Sequence, residues 1–104
     1  MKISKTFNQY KDSINSVLSN ISENQLNLTI KLIKKTFKNK GKIYIVGNGG
    51  SASIASHVSV DFAKAARIPS STFNNANLIT CFANDYGYEN WVTEAIRAYM
   101  NKHD

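Results

Sequence analysis

The stretch Lys42-Ile43-Tyr44-Ile45-Val46-Gly47-Asn48-Gly49-Gly50-Ser51 decides the fold. An apolar run of buried β type breaks into a glycine-rich turn and then enters a helix. That order sets bare backbone N–H groups at a helix N-terminus, where a phosphate binds readily. Gly49 and Gly50 lack Cβ, so the chain turns tightly there and approaches an anion closely. Asn48 and Ser51 add side-chain hydrogen bonds, and Ser51 is also a cap for the next helix. The third glycine of the dinucleotide fingerprint and the Lys-Ser/Thr ending of the triphosphate loop are both missing. An ordinary strand-to-helix turn has the same spacing, so the loop alone leaves both readings open.

Upstream of the strand lie two amphipathic helices. Phe7, Tyr10, Ile14, Val17 and Ile21 recur at steps of three and four, one apolar stripe over 4–20. Ser22-x-x-Gln25 reads as a capping box that opens a second helix over 23–39. Leu26, Ile30, Ile33 and Phe37 form its buried side, and Gly41 ends it. The pair reads as a helical hairpin over 1–40. It holds more apolar residues than one small sheet needs to cover, which points to a subunit interface of bundled helices.

Downstream, the strand over 42–46 is apolar almost throughout, as in a parallel sheet covered on both faces. A helix over 52–66 comes next, and Pro69 disfavours helix in the residue before it. Ser71-Thr72-Phe73 predicts a short strand, Asn74-Asn75-Ala76-Asn77 a turn with a cap for a short helix over 77–83, and Asn84-Asp85-Tyr86-Gly87 a second turn. Trp91, Val92, Ala95, Ile96, Tyr99 and Met100 mark a final amphipathic helix. The layout is α/β with only two strands, whereas a parallel sheet normally needs more. Residues 41–104 therefore read as the first half of a parallel-sheet domain, truncated or completed by a partner.

The 104 residues leave room for one domain at most. No apolar run reaches a membrane span, and Met1 to Tyr10 holds no apolar signal core, which makes a cytoplasmic protein the expectation. The single cysteine, Cys81, lies in an apolar run and reads as a core residue in a reducing compartment. Much of the net charge of +6 sits on Lys31, Lys34, Lys35, Lys38, Lys40 and Lys42. These interleave with apolar helix positions and read as a solvated face. No nucleic-acid-binding motif accompanies them, so neither nucleic acid nor membrane is an expected partner.

Chemistry-bearing residues lie just beyond the glycine turn. His57 and Asp61 are four apart and share one helix face, about 6 Å apart along the axis. An imidazole beside a carboxylate transfers protons in a pair, or supplies two ligands to a divalent metal. A local His–Asp contact on an exposed face has the same spacing. Asn84 and Asp85 stabilise a turn or form the polar wall of a pocket. Loops at the carboxyl ends of parallel strands gather on one edge, and both Gly47–Ser51 and the segment after Phe73 belong to that edge. Lys64 and Arg67 read as a solvated helix end or as cations that neutralise a phosphate.

Taken in order, Gly47-Asn48-Gly49-Gly50-Ser51, His57, the acid at 61, Leu78-Ile79-Thr80-Cys81 and Asn84-Asp85-Tyr86-Gly87-Tyr88-Glu89 resemble the phosphoheptose isomerases. These are sedoheptulose 7-phosphate isomerases of the SIS (sugar isomerase) fold, which is flavodoxin-like. The resemblance covers essentially the whole chain but only the N-terminal half of such a protein. It implies conversion of sedoheptulose 7-phosphate to D-glycero-D-manno-heptose 7-phosphate through an enediol, early in bacterial heptose synthesis for lipopolysaccharide or capsule. It implies a homotetramer built through the N-terminal helices, and zinc in some members. By resemblance, Asn48, Gly49, Gly50, Ser51, Asn84 and Asp85 bind substrate, and His57 and Asp61 are catalytic and zinc-ligating. The family usually has glutamate at position 61, and its second half carries a phosphate loop, a catalytic histidine and further zinc ligands. The chain alone is thus not expected to be a competent isomerase. SIS proteins of closely similar sequence also act without turnover, as phosphosugar-binding modules or as partners of a replication initiator.

Overall fold

A computed structural model describes residues 3–104. The chain forms two compact units, one ending at Leu32 and the other running from Ile33 to Asp104. The expected hairpin begins at residue 1, so its first two positions lie outside the described residues.

In the first unit, α1 spans Ile3–Ser19 and α2 begins at Glu23, running on to Lys38. Both form where the periodicity places them. The Ser22 hydroxyl accepts the Gln25 N–H at 3.4 Å, the forward half of the capping box. No described residue of either helix is buried. Phe7, Tyr10, Val17, Leu26 and Leu28 are more than half exposed. The apolar stripes of both helices thus stay largely open to solvent.

The end of α2 is closed by a Schellman motif, with Gly41 N–H on the Thr36 carbonyl and Lys40 N–H on that of Phe37. Lys40, at φ 59°, takes the left-handed position that the sequence suggested for Gly41. Gly41 is instead required for space: a Cβ there would lie 1.9 Å from the His103 carbonyl oxygen. The segment after the last helix thus returns to the start of the sheet. There the Asp104 carboxylate accepts the N–H groups of Lys42 and Asn101, both at 2.8 Å.

The sheet is parallel and two-stranded, with β1 (Ile43–Tyr44) paired to β2 (Ser70–Ser71) in the register Ile43 to Ser70 and Tyr44 to Ser71. Both strands are shorter than the sequence suggested (42–46 and 71–73). Ladder bonds run from Ile43 N–H to Pro69 and from Ile45 N–H to Ser71. Continued at two residues per bond, the ladder would send Gly47 N–H to Phe73. It goes instead to a side chain, Asn74, because the backbone of β2 has already turned away.

The crossover helix α3 spans Gly50–Lys64 and packs on β2. It starts two residues earlier than expected, inside the glycine turn. Helix α4 runs Ala76–Tyr86, capped by the Asn75 side chain on Asn77 N–H at 2.9 Å. It overruns the expected turn at Asn84-Asp85-Tyr86-Gly87: Asn84, Asp85 and Tyr86 are its last residues, and Gly87 at φ 87° ends it. A single 3-10 turn, Tyr88–Asn90, leads into α5, Trp91–Tyr99. Phe73, Trp91 and Ala95 form the buried core, with Tyr44, Val46, Leu78, Phe82 and Val92 packed around them. Tyr44 stacks on Phe73 with ring centroids 4.6 Å apart. Cys81 is exposed, a correction to its reading as a core residue. The neighbouring α4 positions Leu78, Ile79 and Phe82 face the core in its place, as helical spacing requires.

Candidate functional site

The glycine turn occupies the carboxyl end of β1. Asn48, Gly49, Gly50 and Ser51 are all exposed. Gly49 is the N-cap of α3, at φ 58° and ψ −127°, a conformation open essentially to glycine. The cap carries no side-chain hydrogen bond, so Ser51 sits in the first turn of α3 and does not cap it. Ser51 and Ala52 direct their N–H groups back onto the carbonyls of Asn48 and Gly49, at 3.1 and 3.0 Å. Gly49 and Gly50 N–H have no partner among the described residues. A Cβ built on either glycine meets nothing within 4 Å, so open space lies in front of both. Two unpartnered donors at a helix N-terminus suit an anionic oxygen.

The root of the turn is tightly held. At Gly47 a Cβ would fall 2.2 Å from the Ser51 carbonyl oxygen, so the residue must be glycine for α3 to start where it does. The Asn74 side chain clamps Gly47 on both backbone groups: its Oδ1 accepts the N–H at 2.9 Å and its Nδ2 donates to the carbonyl at 2.6 Å. The Thr72 hydroxyl in turn donates to Asn74 Oδ1 at 3.2 Å and accepts Asn74 N–H at 3.1 Å. Sequence reasoning placed Asn74 only in a turn. Its signal was the polar run directly after a strand at the crevice edge.

The tip of the turn is held by the 3-10 turn beyond α4. Tyr88 Oη donates to Asn48 Oδ1 at 2.7 Å, linking residues 40 apart in sequence. Tyr88 belonged to the recognised motif but was given no role.

On α3, His57 Nε2 and Asp61 Oδ2 lie 3.4 Å apart, with side chains 79% and 59% exposed. The expected pair forms, on an open helix face. A shallow pocket of about 540 Å3 is lined by Ala52, Ser53, Ser56, His57, Val60 and Asn74, so His57 and the clamp share one wall. Asn84 and Asp85 are exposed and bonded to each other at 3.0 Å, and Cys81 Sγ lies 4.0 Å from Asp85. No hydrogen bond among the described residues joins Asn84 or Asp85 to the glycine turn.

Zinc is normally held by four ligands in a structural site, or by three and a water in a catalytic one. Among the described residues no third His, Cys, Asp or Glu joins His57 and Asp61. The pair alone therefore does not make a zinc site. No helix among the described residues is long and apolar enough to cross a membrane.

The SIS domain family matches residues 9–98, a span that includes the glycine turn, the clamp and the His57–Asp61 pair. The chain belongs to the SIS domain family. It is 33% identical over 108 aligned residues to the phosphoheptose isomerase of Helicobacter pylori strain P12, covering 98% of this chain and 56% of that protein. It is 34% identical over 86 residues to phosphoheptose isomerase 2 of Campylobacter jejuni, covering 75% of this chain and 41% of that one. The solved phosphoheptose isomerase of Neisseria gonorrhoeae superposes with a TM-score of 0.83 over 97% of this chain and 56% of its own, at 23% identity. That likeness places the two helices and the small parallel sheet in a SIS-type fold. The chain spans about half the length of the relatives it matches.

Proposed function

We propose that the chain is the substrate-binding portion of a sugar-phosphate isomerase that converts sedoheptulose 7-phosphate to D-glycero-D-manno-heptose 7-phosphate. The observation that carries this reading is the 33% identity to a phosphoheptose isomerase over 98% of the chain. The site geometry supports it. Free N–H groups of Gly49 and Gly50, with the Asn48 amide, suit the oxygens of a sugar phosphate. In this reading Asp61, next to His57 on the helix the turn opens, carries a proton between adjacent carbons: it takes one from C1 of the ketose, the O1 hydroxyl proton passes to O2, and the enediol receives the carbon proton back at C2. Asp85 and Asn84 would meet substrate hydroxyls only from the far end of α4. Zinc at His57 and Asp61 would need donors from outside this chain, and no proton step here runs through it.

In this reading the protein works in the cytoplasm, in heptose synthesis for surface polysaccharide, as a homotetramer. The solvent-open apolar stripes of α1 and α2 support assembly through those helices. Sedimentation of a Phe7→Glu, Val17→Glu variant should show loss of the oligomer, and an unchanged sedimentation coefficient would reject that interface.

Asp61→Asn tests the chemistry. The pair is exposed, so stability should change by less than about 0.5 kcal/mol. Turnover of sedoheptulose 7-phosphate in the full-length protein should vanish with binding largely kept. Unchanged turnover would remove Asp61 from the reaction. A second reading is a SIS module that binds a phosphosugar or a protein without turnover. The aspartate at position 61, where the family usually has glutamate, favours it. Sugar-phosphate binding with no isomerisation in the full-length protein would select it.

A further inference from the structure

We propose that Tyr88 is a positioning residue that fixes Asn48 as a hydrogen-bond donor, so that the ligand group meeting Asn48 is an acceptor oxygen of the sugar phosphate. The inference rests on the phosphosugar reading above and deepens it at one atom. Asn48 is exposed at the tip of the glycine turn, and its amide offers either a carbonyl or an NH2 group to a ligand. Tyr88 removes the choice. Its hydroxyl donates to Asn48 Oδ1 at 2.7 Å, which occupies the carbonyl. Asn48 Nδ2 has no partner among the described residues, so both of its N–H groups remain free beside those of Gly49 and Gly50. The result is a set of unpartnered donors at the tip of the turn, suited to phosphate, hydroxyl or keto oxygen.

The geometry around Tyr88 argues against a purely architectural role. The residue is 54% exposed, and it is absent from the core cluster built on Phe73, Trp91 and Ala95. Its placement is nevertheless defined. Gly87 ends α4 at φ 87°, and the 3-10 turn Tyr88–Asn90 comes directly after it, closed by Asn90 N–H on the Gly87 carbonyl at 3.0 Å and by Asn90 Nδ2 on the Tyr86 carbonyl at 2.9 Å. The turn is thus stapled at both ends, and the phenol reaches across to the glycine loop. Asn74 holds the root of that loop at Gly47 while Tyr88 holds the side chain at its tip. A one-residue change at 88 that keeps the ring and drops the hydroxyl separates orientation from packing.

The experiment compares the full-length protein with its Tyr88→Phe variant by two readouts. Titration calorimetry measures affinity for sedoheptulose 7-phosphate, and NMR records the Asn48 side-chain NH2 resonances without ligand. One hydrogen bond's worth of preorganisation predicts an affinity about threefold to tenfold weaker in the variant, with an unchanged melting temperature. The Asn48 NH2 signals should shift or broaden as the amide is released to rotate. Equal affinity, or unmoved Asn48 signals, overturns the proposal. If the parent protein itself binds no sugar phosphate, the phosphosugar reading fails and the proposed acceptor-oxygen ligand fails with it. The Asn48 signals then decide the positioning role alone.

Discussion

Asn74→Ala removes both hydrogen bonds that hold Gly47, and its cost can be worked from the geometry. Each bond contributes about 0.5–1.5 kcal/mol net. Gly47 is half-buried, so water only partly replaces the lost partners on its N–H and carbonyl. A loss of about 1–3 kcal/mol results, which in a unit of this size corresponds to a melting-temperature drop of about 5–20 °C. Trp91, the only tryptophan, is 4% exposed in the core of the same unit, so urea unfolding monitored by its fluorescence reads the change directly. Asn74→Asp refines the test. The carboxylate still accepts the Gly47 N–H, but its second oxygen now faces the Gly47 carbonyl across the 2.6 Å gap that the amide NH2 had bridged. That repulsion raises the carboxyl pKa in the folded state above its unfolded value. The variant is therefore penalised at neutral pH and recovers as pH falls through the raised folded value, where the protonated acid again donates to the carbonyl. A cost below about 0.3 kcal/mol for Asn74→Ala, or a gap between Asn74→Asp and the parent that widens in acid, would refute the clamp.

Two further outcomes are expected. Gly47→Ala forces a Cβ against the Ser51 backbone at 2.2 Å and should cost more than about 2 kcal/mol, whereas Gly50→Ala meets nothing within 4 Å and should be tolerated; equal melting temperatures for the two variants would contradict the packed root of the turn. The Asp104 carboxyl is held below its ordinary 3.8, first by the Asn101 N–H and then by that of Lys42. Its contribution to stability is therefore present above that unfolded value and is lost as pH falls through the lower folded one. Asp104→Asn should flatten the acid limb of the stability curve, and an identical limb in the variant would show that the carboxylate contributes nothing there.

Part of this was legible in residues alone, wherever the controlling physics is local. The periodicity of Phe7, Tyr10, Ile14 and Val17, the Ser22 cap and the strand-to-glycine break at Gly47 each depend on neighbours within a turn of chain. The two N-terminal helices and α3 accordingly form within a residue or two of their expected places. The i to i+4 contact of His57 and Asp61 is local as well. The short strands and α4 were less legible. Pairing ends where a partner strand turns away, and Asn84-Asp85-Tyr86 stays helical because Gly87 ends the helix later than polar composition suggested.

The sequence by itself determined the helices, the glycine turn and the SIS resemblance, since these rest on short-range spacing and residue type. Only the tertiary structure decided which side chains hold the turn. Asn74 lies 27 residues from Gly47, and Tyr88 lies 40 residues from Asn48. Contacts at such separations are set by how β2 leaves the sheet and where α4 stops. The same packing turned Cys81 outward and moved the left-handed position at the end of α2 onto Lys40, because the returning backbone at His103 leaves no room for any side chain at Gly41.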